Sequence, residues 1–136
     1  MHAFLNEKPG LPFLAMLALT IFLASGCSRS SKAANDVSFV LASDPQPPRA
    51  SQNTFTVTLT SQAGQPIPRA HVSLEGDMSH PGMSPAFADA EEIAPGKYQA
   101  GLDLNMLGDW IIIAHIQLPS GRTFDRGAKF PNLQPN

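Results

Sequence analysis

From residue 37 onward, apolar residues come in short runs separated by turn residues, and within several runs they alternate strictly with polar ones. Residues 54–60 (TFTVTLT) set Phe55, Val57 and Leu59 on one face and threonines on the other. A period of two is that of a pleated strand with one face buried. The same period runs through 70–75, where Ala70, Val72 and Leu74 alternate with His71, Ser73 and Glu75, and through 97–104, where Tyr98, Ala100, Leu102 and Leu104 share a face. Residues 37–41 and 87–93 give shorter strands, 110–118 (WIIIAHIQL) the most apolar one, and 122–130 the last. Turns are expected at 64–68, 95–96 and 119–121, and a long loop at 76–85. No window carries a helical stripe, and the prolines scattered between the runs argue against long helices. About seven short strands at this spacing predict an all-β domain over residues 37–131, an immunoglobulin-like two-sheet Greek-key sandwich, with 132–136 as a tail. Trp110 should plug its core, with a backbone acceptor for the indole N–H.

The first residues break this pattern. Lys8 lies in a short polar start, and 11–24 is an almost unbroken apolar run ending in Ser25, Gly26 and Cys27. The run is short for a bilayer span and ends in small residues, so 1–26 reads as a secretory signal peptide. The sequence Leu23-Ala24-Ser25-Gly26-Cys27 resembles a bacterial lipobox, which implies lipidation at Cys27 and a lipoprotein held to the membrane by its acyl chains. Residues 28–36 (SRSSKAAND) then read as the rest of a flexible tether that starts at Cys27. With Ser28 after the cysteine, sorting in a Gram-negative cell would favour the outer membrane, facing the periplasm.

Composition narrows the chemistry further. Cys27 is the sole cysteine, which excludes an intrachain disulfide, a thiolate metal site and a thiol nucleophile in the domain. The net charge is −2 with no basic patch, so nucleic acid is not an expected partner. There is no Gly-rich phosphate loop, Gly-x-Ser-x-Gly elbow or His-Glu-x-x-His, and no base stands beside a nucleophile; the chain does not read as an enzyme.

What remains is residues 78–83, Met-Ser-His-Pro-Gly-Met. Two thioethers and an imidazole lie within six positions around a Pro-Gly bend, a soft donor set suited to Cu(I) more than to zinc, calcium or magnesium. In an immunoglobulin-like arrangement the strand at 70–75 runs antiparallel beside the strand at 110–118. The loop after the first and the loop before the second then meet at one pole. That brings Met106 toward Met78, His80 and Met83. Acid would strip such a site through its one imidazole, since thioethers do not titrate. His115 lies about 17 Å along its strand, at ~3.3 Å per residue, and reads with His71 as a surface or edge histidine. A weaker second site pairing His71 with His115 on one face is the lesser expectation. Against all this stands a bland alternative, in which methionines fill gaps and His-Pro-Gly is an ordinary turn.

At these residues the chain resembles the YtkA-like domain family, related to FixH-like exported proteins. The resemblance rests on GDMSHPGMSP, on APGKYQAGLDL with Gly96 and Tyr98, and on NMLGDWIIIAHIQLPSG with Met106, Gly108 and Trp110. The family loop often reads His-Gly-Met-Pro; here Pro81 follows His80 and Ser84 follows Met83. The resemblance implies a small exported or membrane-attached β-sandwich that handles copper, with a copper-transport or oxidase-assembly protein as partner. The expected function is thus a membrane-anchored lipoprotein that binds Cu(I) through its Met/His loop for storage, delivery or efflux. The alternative is a structural or protein-interaction module of the cell envelope without metal, using its sandwich edges and the outward Ile111 and Ile113.

Overall fold

The computed structural model describes residues 35–136, so the expected signal peptide, Cys27 and most of the tether lie outside the described residues. The described chain forms eight strands and no helix: β1 (Val37–Asp44), β2 (Arg49–Ala50), β3 (Gln52–Ser61), β4 (His71–Met78), β5 (Ala86–Ala94), β6 (Lys97–Asp103), β7 (Gly108–Gln117) and β8 (Thr123–Pro135). They hydrogen-bond into one curled sheet in the order β1-β3-β6-β5-β4-β7-β8-β2. Every pairing is antiparallel except the short parallel one of β2 with β8.

The all-β architecture is the one the period-two pattern predicts. Instead of two detached sheets, a single strand carries the hydrogen bonding from one half to the other. Residues 86–90 of β5 pair with β4, and Glu91, Glu92 and Ala94 pair with β6 across an irregular register. The inward residues of the first stretch are Ala86, Ala88 and Ala90, packed against the core. Small side chains there let the sheet fold over closely at its corner.

The two halves close on one core. Phe55, Val57 and Leu59 of β3 and Tyr98, Ala100 and Leu102 of β6 meet Val72 and Leu74 of β4 and Ile112, Ala114 and Ile116 of β7. The Phe55 and Phe130 rings stand 5.9 Å apart, joining β3 to β8, which are not neighbours in the sheet. Each such buried aliphatic or aromatic side chain contributes ~1.5–3 kcal/mol. With no disulfide available, that burial is the main source of stability.

Three polar anchors fix the connections. Tyr98 Oη donates to Ile67 O (2.7 Å) and accepts from Ala70 N (2.9 Å), pinning the link that carries the chain from β3 to β4. Buried Asn53 accepts from Arg49 N (2.9 Å) and donates to Arg49 O (2.7 Å) and Ser51 O (2.6 Å), closing the corner after β2. Arg122 donates to both carboxylate oxygens of Asp36 at 2.9 Å, so the end of the expected tether is tied to the domain.

Element ends differ from the sequence reading in two places that matter. β4 continues through Gly76 to Met78 rather than stopping at 75. Gly76 sits at an inward position, where a Cβ would come within 3.2 Å of Leu104 Cδ2 and 3.6 Å of the Trp110 ring. A glycine that looks like a loop signal is here the residue that lets Leu104 and Trp110 fill the core. β8 runs on through the residues read as a tail, because Leu133 is buried and pairs with Gly108.

Candidate metal centre

The tip of the sheet is built where β4 ends and β7 begins. Met78 pairs with Trp110 as the last rung of the β4–β7 ladder. The two chains stay together one residue further: Ser79 N donates to Asp109 O (3.3 Å), and Ser79 Oγ reaches the same carbonyl at 3.5 Å. On the other side, Asp109 Oδ1 accepts from Asn132 N (2.9 Å). The Trp110 indole N–H donates to Met106 O (3.0 Å), which fixes the loop between β6 and β7 against the core and supplies the acceptor expected for the indole. The loops bearing the four candidate donors therefore share one end of the molecule.

The donors differ in how they are held. Met78 is 7% exposed, its backbone in the ladder and its side chain in the core cluster. His80 is exposed, and its ring has no hydrogen-bond partner among the described residues. Met83 and Met106 are 36% and 41% exposed. Met78, His80 and Met83 line one open depression of ≈ 430 Å³ together with Asp77, Ser79, Pro81 and Gly82. Met106 is at the same end but outside that lining. Among the described residues no three of His, Cys, Asp and Glu are grouped to hold an ion.

Gly108 lies where Met78 and His80 approach. It has φ +122° and opens β7 at an irregularity in the β7–β8 register. A Cβ there would stand 3.3 Å from Met78 Cε and 3.9 Å from His80 Cε1. Nothing in the sequence pattern marks it beyond its place in a short motif.

The other histidines are placed differently. His115, on the outward face of β7, has Nε2 2.8 Å from Glu75 Oε2 of β4 and Nδ1 2.9 Å from Asp125 Oδ1 of β8. The hydrogen bonds to Asp125 and then Glu75 raise its pKa, against a smaller opposing effect of burial. His71 pairs with Gln117, and Ser73 is the residue opposite His115. Both nitrogens of His115 are thus taken by carboxylates, and a His71–His115 metal pair is not formed. This three-strand cluster was not read from the sequence. The alternation does put Glu75, His115 and Asp125 on outward positions, but their meeting depends on strand register.

Comparison with known proteins gives a family and nothing closer. No curated protein and no solved structure matches the chain significantly. The family model described as YtkA-like matches residues 31–115, more than half of the 136 residues, including β1, β4, the Met/His loop and most of β7: the chain belongs to the YtkA-like family.

Proposed function

We propose that this is an exported copper-binding protein, anchored by a lipid on Cys27, that takes up Cu(I) through Met78, His80, Met83 and Met106 and passes it to a membrane partner. The observation that carries the reading is the approach of the Met78 methyl and the His80 ring to the open side of Gly108, with Met78 and His80 in an open depression shared with Met83. A thioether beside an unpartnered imidazole, with further thioethers exposed nearby, is a donor set matched to a soft monovalent ion. Exposure suits transfer. A partner's thioethers displace Met83 and Met106 one at a time, while Met78 and His80 hold the ion until the last exchange. Storage, delivery and efflux all use this chemistry, and the partner decides between them.

The test is Cu(I) titration of the purified full chain against a chromophoric chelator. The expected dissociation constant is tighter than about 1 μM, with at least a tenfold loss when Met78 and Met83 are both changed to Leu. Binding weaker than that, or no loss in the double variant, would leave the protein as an envelope interaction module without metal.

A further inference from the structure

We propose that Gly108 is the positioning residue of the tip: the space its missing side chain leaves open is where Met78 and His80 close on a bound ion. This rests on the Cu(I) reading above and adds to it the residue that makes the convergence sterically possible.

The glycines of the chain separate into groups when each is given a Cβ. At Gly64, Gly82 and Gly121, with φ +76°, +90° and +83°, the added atom meets nothing within 4 Å. Those positions need glycine for backbone conformation alone. At Gly96 the Cβ would meet Leu59 O, Pro66 Cβ and Ile67 N, so glycine there serves the packing of a turn against β3. At Gly108 the atoms met within 4 Å are Met78 Cε and His80 Cε1. Among the described residues with positive φ it is the one whose cleared space is bounded by candidate donors alone.

A bound ion makes that space matter more. Metal–sulfur and metal–nitrogen bonds of about 2.3 and 2.0 Å put two donors of one tetrahedral ion roughly 3.5 Å apart. Closure of Met78 and His80 to that span would take place beside Gly108, whose open side both border. A methyl group already 3.3 Å from the thioether methyl opposes that closure. The Met78 backbone is held by its pairing with Trp110, so accommodation falls on its side chain, which is itself the candidate donor. The rest of the device keeps Gly108 in place: Leu133 pairs with it from β8, and Ser79 and Trp110 tie the flanking loops.

The experiment compares Gly108→Ala with Gly121→Ala in the full chain. Gly121 has a similarly left-handed backbone with open space, in the turn between β7 and β8, and lies in no donor loop. Cu(I) affinity is read by chelator competition, folding by thermal unfolding, and the sulfur and nitrogen donor count by X-ray absorption at the copper edge. The expected result is a tenfold or greater loss of affinity and a lower donor count in Gly108→Ala alone, while Gly121→Ala, which shares only the backbone strain, keeps both. Wild-type affinity and donor count in Gly108→Ala would overturn the proposal, whereas a wild-type chain that binds no Cu(I) takes the metal reading down with it. Should Gly108→Ala not fold, the wild-type chain answers by NMR: Cu(I) must shift the Gly108 amide and the Met78 methyl together. A Gly108 amide unmoved by saturating Cu(I) overturns the role.

Discussion

His80, in the loop after β4, and His115, on the outward face of β7, have opposite surroundings. His115 is held between Glu75 and Asp125, one carboxylate on each nitrogen, with its neighbours fixed by three paired strands. His80 stands one residue past Ser79, where the β4–β7 tie ends, with no partner for its ring among the described residues and with the Met78 methyl near. A metal ligand needs a free, neutral nitrogen lone pair. His115 offers none, because hydrogen bonds to carboxylates on both nitrogens favour its charged form; the His80 ring has no such partner among the described residues. Whether a histidine ring of this molecule is left without a partner follows from where strand pairing stops.

The sharpest way to break that contrast is to remove each ring in turn. His80→Ala should lower Cu(I) affinity by more than the ~10–100-fold typical of losing a residue that merely supports a ligand. His115→Ala should change it by less than about twofold, since its nitrogens are taken by Glu75 and Asp125. Chelator competition on the two variants reads both numbers. Equal losses would mean that His80 is not a ligand.

The methionines grade the same distinction. Met83→Leu and Met106→Leu remove exposed donors and should each cost about tenfold in affinity, with thermal stability unchanged because neither fills the core. Met78→Leu conserves volume in a buried position, so it should cost less than ~1.5 kcal/mol of stability, read by denaturant unfolding, while its affinity loss exceeds that of either exposed methionine. A Met106→Leu chain that binds as wild type would confine the site to the β4–β5 loop, in keeping with the lining of the depression.

How much of this could be read from residues alone divides along the same line. The alternation at 54–60 and 97–104 predicts β3 and β6 to within a few residues, because one buried face per strand leaves a period-two imprint. The pole shared by the Met/His loop and Met106 follows from antiparallel pairing of two recognisable strands. The end of β4 was not legible: Gly76 interrupts the apolar alternation with a residue whose value lies in what it leaves for Leu104 and Trp110. The same holds for Gly108, whose place beside Met78 and His80 shows only through its missing side chain, and for Glu75–His115–Asp125, where three separate strands must be in register before the residues meet. The corner at β5 was illegible for a related reason. Its alanines look like weak strand formers until the sheet is seen to fold over them.

The smallest expected effect concerns His115 itself. Its pKa is raised in the folded chain, so the folded state holds a proton more tightly than the unfolded one. Stabilisation is therefore fully present below the ordinary histidine value of ~6.5 and is lost as pH rises through the higher folded value. The ring is more than a third exposed, and solvent screening keeps the contribution small. His115→Gln is neutral at every pH. Wild type should unfold a few degrees above this variant at about pH 6, where free carboxylic acids are ionised, and the gap should close by about pH 9. Thermal melts of the two chains at both pH values read the difference directly. A gap that widened toward pH 9 would mean that the neutral ring, not the charged one, is the form the fold prefers, and the assignment of His115 as a cation held by two carboxylates would fail while the vacancy of His80 stood untouched.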